Sequence, residues 1–599
     1  MNMTFWKTFW ASLLASVVSG LIVIGLFFLI LGGIMSGLED MMDDMKLHVK
    51  DNTVLHMKLN GPIGDYTAQG FDANTFSVYN QFGLMEILEG IEMAKEDDKV
   101  KGIFLECNNV LAGMATVKEI RDALVDFQES GKFVVSYSEN YSTKSYYLSS
   151  AAKELYVFPT GMIQFLGLGG ELMFFKGTLE KLDVEMQIIR GSNNKFKSAV
   201  EPLMNTEMSE ANREQTMKYL SALWGQILED VATSRNLKES RLNTIADSVM
   251  IRKSGDAVGL NMADGIKYYD EVLDLLKEKA GTDEEGNLAL LSFKKYAIRK
   301  TKKNRTLEKL DKKNIALIFA QGDIVDGKGT AQQIGGNRVS AWIREAREDE
   351  NIKAIVLRVN SPGGSALASD VIWREVVKTK EAGKPVIVSM GDLAASGGYY
   401  ISCAADKIYA QPNTLTGSIG VFGIIPYTGK MFENKLGVTF DRVQTNAHSV
   451  LSTNKKLDEW ELNLVQQEVD DIYDDFISKV AEGRGMKKSA VDSIGQGRVW
   501  AGKDAIEIGL VDEIGGLNDA IDYAAEQAGI KEVKLDIYPR MPKPGLEGFI
   551  EAMEDMDASI EAKIPSELEL QLMQMYGYLK SLDTKKSIQA RLPFIITIE

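Results

Sequence analysis

Ile387-Val388-Ser389, followed by Tyr399-Tyr400, restates Val134-Val135-Ser136, followed by Tyr146-Tyr147, at an offset of 253 residues. Upstream, Lys353-Ala354-Ile355-Val356-Leu357 matches Lys101-Gly102-Ile103-Phe104-Leu105 at an offset of 252. Downstream, Val480-Ala481 and Arg484 match Val231-Ala232 and Arg235 at 249, and Gly509-Leu510 matches Gly259-Leu260 at 250. An offset that stays nearly constant over about 160 residues marks an internal duplication. In the second copy, 315–319, 354–359 and 386–389 are short β-rich runs, and a helical pattern over 366–379 separates the last two. Strands spaced by helices predict βαβ units and a parallel or mixed sheet, so the fold class is α/β in two tandem repeats.

The rest of the chain is organised around those copies. At 599 residues it is too long for one ordinary core. From 8 to 37 there is no charged residue, and 10–35 is almost wholly apolar. That run exceeds the ~20 residues a helix needs to cross a bilayer and the ~7–15 of a cleavable signal, so an uncleaved transmembrane signal anchor is expected. Lys7 precedes the run, while Glu39, Asp40, Asp43 and Asp44 follow it. The positive-inside bias places the N-terminus in the cytoplasm and the bulk of the chain outside. The expected divisions are the anchor (1–45), the first repeat (46–298), a basic connector (299–313), the second repeat (314–538) and a helical C-terminal tail (539–599). Met541-Pro542-Lys543-Pro544-Gly545 marks the last boundary.

Composition excludes several classes. A net charge of -17 argues against a nucleic-acid partner, which would need clustered Lys and Arg. Cys107 and Cys403 are the only cysteines, too few for a disulfide framework or a four-ligand zinc site, and read as small buried hydrophobes. The three histidines, His48, His56 and His448, form no HExxH. No metal or cofactor is expected, and His-based triads start with few candidates.

Two local patterns point to chemistry. Arg358-Val359-Asn360-Ser361-Pro362-Gly363-Gly364-Ser365 ends a β run and starts a helix, and its glycines let bare N–H groups approach a ligand. The first copy has Asn108-Asn109-Val110-Leu111-Ala112 there, so the fold itself does not need the glycines. After the next strand comes Ala394-Ala395-Ser396-Gly397-Gly398-Tyr399-Tyr400, with Ser396 at the expected start of a buried helix whose N-terminus favours developing negative charge. The aligned position in the first copy is Thr143, followed by Lys144 and Ser145. A serine nucleophile needs a base. No Asp stands in a recognisable relation to His448, and GxSxG is missing because Ala394 replaces its first glycine. SxxK spacings at Ser192–Lys195, Ser292–Lys295 and Ser452–Lys455 lack the SDN and KTG that would give them meaning. Lysine is the remaining type, because desolvation can keep a buried amine neutral near pH 7. Composition does not say which lysine.

These residues, with Phe196-Lys197-Ser198-Ala199-Val200-Glu201-Pro202, resemble the signal peptide peptidase A (protease IV) family in its long, duplicated bacterial form. The resemblance covers the anchor, both repeats and both motifs. It implies a Ser-Lys dyad in which Lys197 of the first copy is the base and Ser396 of the second is the nucleophile. It implies oxyanion donors at the Gly363 and Gly397 N–H groups, supported by Gly364, with Ser418 of Thr416-Gly417-Ser418-Ile419-Gly420 beside the amine. Lys195, with its Asn-rich flank, reads as solvated. The resemblance further implies a crotonase/Clp-protease-like fold, hydrophobic peptide substrates such as cleaved signal peptides, a homotetramer, and a site on the periplasmic side of a bacterial inner membrane. Where the lysine segment should recur, the second copy carries Thr445-Asn446-Ala447-His448-Ser449-Val450-Leu451-Ser452, so one site is divided over two copies. The alternatives are a crotonase-like acyl-CoA enzyme and a catalytically inactive membrane scaffold.

Overall fold

The structure, a computed structural model, describes residues 49–59, 61–66, 69–72, 77–80, 82–283, 285–308, 312–330, 332–540 and 588–591. The expected anchor and most of the expected tail lie outside these residues. Among the described residues, no helix is long and apolar enough to cross a membrane.

The first repeat supplies strands β1 (Thr53–Lys58), β2 (Gln69–Asp72), β3 (Ser77–Asn80), β4 (Val100–Glu106), β5 (Phe133–Tyr141), β6 (Glu154–Ile163), β7 (Glu185–Arg190), β8 (Gly265–Ile266) and β9 (Leu290–Ser292). The second supplies β10 (Ile315–Gln321), β11 (Ile324–Val325), β12 (Ile334–Gly335), β13 (Ala354–Ser361), β14 (Gly363–Ser365), β15 (Val386–Ala395), β16 (Lys407–Ala410), β17 (Leu415–Gly417), β18 (Phe422–Tyr427), β19 (Val499–Ala501), β20 (Glu513–Ile514) and β21 (Leu535–Tyr538). A last strand, β22 (Ile588–Arg591), comes from the C-terminal region.

The duplication is visible strand for strand. In the first sheet the order is β9-β1-β4-β5-β6-β8, all parallel. In the second, β21-β10-β13-β15-β16-β20 runs in the same order and is again parallel. Equivalent helices Glu210–Arg235 and Glu459–Arg484 each have 26 residues, and each ends on a left-handed residue, Asn236 or Gly485. Asp458 and Glu461 cap the second by bonding each other's backbone N–H groups, satisfying donors a helix start leaves open.

The central strands are buried on both faces, as a parallel sheet covered by helices requires. Ala316, Ile318 and Ala320 of β10 pack towards helices Gly336–Glu348 and Ala366–Glu381 through Val339, Ile343, Ile372 and Val376. Ile315, Leu317 and Phe319 face the opposite way, onto Leu517, Ala520, Ile521 and Ala524 of helix Leu517–Gln527. The period-2 alternation of one strand thus feeds two layers. Truncating Ile318 to Ala there would cost about 2–5 kcal/mol.

The contacts that join the copies include a shared sheet and a buried arginine. β7 of the first repeat pairs antiparallel with β18 of the second, from Phe422 opposite Arg190 to Tyr427 opposite Glu185, within a third sheet ordered β12-β11-β14-β22-β18-β7. Elsewhere, fully buried Arg358 of β13 donates from Nε to Asp65 at 2.7 Å and from Nη2 to Glu119 at 2.7 Å, both first-repeat carboxylates. Glu119 also accepts the Leu517 N–H at 2.8 Å. The boundary expected between 298 and 299 falls inside one helix, Phe293–Glu308. Buried Phe293, Tyr296 and Ala297 seat that helix on the first repeat, and Gly90 leaves the room: a Cβ there would fall 2.6 Å from Ala297 Cβ.

Candidate active site

Ser396 stands where β15 ends and helix Gly397–Ser402 begins. Its φ of 57° and ψ of −115° are rare for a residue with a side chain. The conformation is held by neighbours: the Ser396 N–H donates to Gly417 O at 2.8 Å, and β15 pairs with β17 up to Ala395 opposite Gly417. The small residues that follow are required by close approach. A Cβ on Gly397 would fall 2.7 Å from Ser369 Oγ and 3.2 Å from Gly363 Cα, and one on Gly398 would fall 2.7 Å from Ser361 O.

The first copy lacks this turn. Tyr147 donates to Asp230 and Tyr400 to Asp475, so the tyrosine pairs correspond. Yet the first-copy helix, Thr143–Ser149, starts one residue earlier relative to its pair. Its cap, Ser142, has a relaxed φ of −70°, and its side chain is spent accepting the Ser145 N–H. Lys144 is buried there and donates to Ala112 O at 2.7 Å.

Lys197 reaches Ser396 from the other copy. β7 delivers the chain past Gly191, and the Phe196 N–H then donates to Gln496 O at 2.9 Å. Second-copy backbone cradles the lysine stem: a Cβ on Gly497, whose φ is +80°, would fall 2.5 Å from Lys197 Cβ, and one on Gly420 would fall 3.2 Å from Lys197 Cδ. Lys197 Nζ lies 2.9 Å from Ser396 Oγ, 3.0 Å from Ser418 Oγ and 3.0 Å from Ser418 O. All three residues are 0% exposed. None of the three contacts carries a charge, and burial alone holds the amine well below the ordinary lysine range. Ser418 has a φ of +49°, fixed by its N–H donating to Arg498 O at 2.7 Å.

The glycines of the β13–β14 turn come together with the dyad. Gly363 (φ +104°) lies against Gly397, and its N–H donates to Ser361 Oγ at 3.1 Å. Ser361 Oγ donates onward to Gly322 O at 2.6 Å, so this donor's direction is set by a hydroxyl two residues away. Gly364 (φ +156°) pairs with Ile324, and a Cβ there would fall 2.0 Å from Ile324 O. Gly397 opens its helix, where N–H groups have no partner within the helix itself. Lys195 is exposed and its Nζ sits 4.9 Å from the Phe196 ring centroid, away from the dyad.

One residue that sequence reasoning missed ties the halves together. Buried Gln215, on helix Glu210–Arg235, donates from Nε2 to Phe196 O and Ser198 Oγ, each at 2.9 Å, on either side of Lys197. Its Oε1 accepts the Val499 N–H at 3.2 Å, next to the Arg498 carbonyl that holds Ser418. No motif surrounds Gln215, so no sequence signal could have singled it out. Cys107 and Cys403 are both buried. His448, Asp458 and Glu461 bring possible metal donors within 4.8 Å, but Glu461 already accepts Lys455 at 2.5 Å and His448 at 3.0 Å, and Asp458 Oδ1 caps the helix.

A strained, buried serine beside a buried lysine in uncharged surroundings, with glycine N–H groups at hand, is an arrangement suited to acyl transfer. Comparison with known proteins agrees. The family model described as peptidase family S49 matches twice, at residues 126–283 and 378–531. The chain is 36% identical to Protease 4 of Salmonella typhi over 498 residues, 82% of this chain and 78% of that one. It is 36% identical to Protease 4 of Haemophilus influenzae over 468 residues, 76% of this chain and 74% of that one. With the chloroplastic serine protease SPPA of Arabidopsis thaliana it shares 34% identity over 491 residues, 80% and 70% of the two chains. The chain belongs to peptidase family S49 and is a serine protease of the SppA type.

Proposed function

We propose that the chain is an endopeptidase in which Ser396 is the nucleophile and Lys197 the general base. The observation that carries this reading is the 2.9 Å approach of Lys197 Nζ to Ser396 Oγ in a site where both are fully buried. A neutral amine has two N–H bonds and one lone pair. Ser418 O accepts one N–H and Ser418 Oγ the other, which leaves the lone pair for the Ser396 hydroxyl proton.

As Ser396 Oγ attacks the peptide carbonyl, its proton passes to Lys197 and the carbonyl oxygen becomes an oxyanion. The Gly397 and Gly363 N–H groups receive that charge, the latter by turning from Ser361 Oγ. The ammonium form of Lys197 then protonates the departing amine, leaving an acyl-enzyme on Ser396. Lys197, neutral again, takes a proton from water, whose oxygen attacks the ester; the proton returns to Ser396 when the acid leaves. Hydrophobic peptides, released signal peptides among them, are the substrates this reading favours. The apolar run at 10–35 would hold the site beside a bilayer, on the periplasmic side of a bacterial inner membrane, in a homotetramer.

A serine-directed phosphonate tests the assignment: it should label the parent chain at Ser396 and fail to label Ser396→Ala, with peptide hydrolysis lost in Ser396→Ala and Lys197→Ala alike. Retained hydrolysis in either variant would refute the roles of nucleophile and base. The same labelling separates the peptidase from an inactive scaffold, and hydrolysis without any coenzyme A dependence separates it from an acyl-CoA enzyme.

A further inference from the structure

Arg498 follows the Gly497 that cradles Lys197, and its guanidinium bridges two rings. The guanidinium carbon lies 4.5 Å from the Phe196 ring centroid and 4.6 Å from the Trp500 ring centroid. Nη2 donates to Glu214 Oε1 at 3.0 Å. Nε is buried without a hydrogen-bond partner among the described residues, so ring contact accounts for its side of the guanidinium. A planar, weakly hydrated guanidinium can lie against two rings at once, which a compact, strongly hydrated ammonium does poorly. Phe196 and Glu214 belong to the first copy, Arg498 and Trp500 to the second.

Each ring stands beside one half of the dyad. Phe196 directly precedes Lys197. Trp500 is fixed by its Nε1, which donates to Ile494 O at 3.0 Å, and it packs on Gly417, where a Cβ would fall 2.8 Å from its Cδ1. Gly417 O accepts the Ser396 N–H, and the Arg498 carbonyl accepts the Ser418 N–H. The bridge therefore runs from the residue in front of the base to the strand end that sets the nucleophile. The fold itself does not need it. Val499 matches Val249 at an offset of 250, so Ser248 and Met250 stand where Arg498 and Trp500 do. The first copy reaches the same strand order with neither a guanidinium nor an indole there.

We infer that Arg498 is a positioning residue: by bridging Phe196 and Trp500, its guanidinium sets the separation of Lys197 Nζ from Ser396 Oγ across the boundary between the copies. The inference rests on the dyad reading above, since it concerns what holds that dyad in register. A base displaced by about 1 Å loses roughly 10- to 100-fold in rate, so the side chain acts on turnover through Lys197.

The test uses the full chain, Arg498→Ala and Arg498→Lys. Hydrolysis of a short fluorogenic peptide and phosphonate labelling of Ser396 are followed in each, and a thermal melt shows which variants fold. Both variants should lose about 10- to 100-fold in kcat and in labelling rate with little change in KM. The Arg498 side chain is 18% exposed, so a small cation can enter the space it leaves. Methylguanidinium, at a concentration that leaves the parent's melt unmoved, should restore labelling in Arg498→Ala, and methylammonium should not. A purely structural role predicts a lower melt, an unchanged rate in the folded fraction and no rescue. If Arg498→Ala does not fold, Arg498→Lys, which keeps the charge and most of the stem, decides by its labelling rate. A parental labelling rate in either folded variant, or a loss in Arg498→Ala that methylguanidinium does not restore, overturns the inference and leaves the dyad reading standing. If the parent itself does not label at Ser396, the dyad reading falls and takes the inference with it.

Discussion

Replacing Lys197 by Met should abolish activity and change the protein's relative stability with pH. In the unfolded chain the amine ionises with an ordinary pKa of about 10.4; in the fold, burial holds it well below that. Between those two values the unfolded state binds a proton that the folded state does not. Stability therefore rises with pH through this window, by about 1.36 kcal/mol per pH unit, until the unfolded amine also loses its proton. At a pH below both values, each unit that separates the folded from the unfolded value costs the fold about 1.36 kcal/mol. Met fills a similar volume without that cost but leaves Ser396 Oγ, Ser418 Oγ and Ser418 O short of a partner, at about 1 kcal/mol each. The variant should be less stable than the parent near pH 10, by about 3 kcal/mol, and that deficit should shrink by about 1.36 kcal/mol per pH unit as pH falls through the window. Equilibrium urea unfolding of both chains across that range gives the difference, in which every other titrating group cancels. A stability difference that does not move with pH would refute the claim that the fold holds this amine uncharged.

Three further outcomes follow from the same contacts. Gln215→Leu should lower kcat about 10- to 100-fold with little change in KM, because misplacing a base by about 1 Å costs that much; Gln215→Asn, which keeps the amide, should fall between, in steady-state kinetics. Gly364→Ala should cost about 1–3 kcal/mol or prevent folding, since its Cβ would enter the Ile324 carbonyl at a φ of +156°, and a thermal melt reads this. Arg358→Met should destabilise by about 3–5 kcal/mol by leaving Asp65 and Glu119 buried without their cation, and adding Asp65→Asn and Glu119→Gln should restore most of it in urea unfolding.

The sequence exposes what repeats and what is local. The constant offset corresponds to two sheets of the same strand order and to two 26-residue helices. The runs at 315–319, 354–359 and 386–389 lie in β10, β13 and β15, and the pattern at 366–379 lies in helix Ala366–Glu381. Ser396 can be found by its run of small neighbours, and Lys197 can be found only through the family resemblance. What joins them cannot. β7 pairs with a strand of the other copy, and Gln215 bonds Val499 at a separation of 284 residues, so neither leaves a periodicity that a window of sequence can hold. The Arg358 cluster is equally invisible, because a charged residue in a β run reads as exposed until its carboxylates are seen in space. The Ser361 hydroxyl lies inside a quoted motif, but its bond to the Gly363 N–H depends on a backbone turn. The basic run 299–313 reads as a connector because its charges dominate; the anchoring residues Phe293, Tyr296 and Ala297 precede it.

The central claim is that an uncharged Lys197 amine activates Ser396, and the pH dependence of the rate at which a phosphonate labels Ser396 tests it most directly. The account predicts a rate that climbs with one ionisation far below the ordinary lysine value and vanishes in Lys197→Met. A rate that climbs only near about pH 10.4, or one that survives unchanged in Lys197→Met, would contradict it.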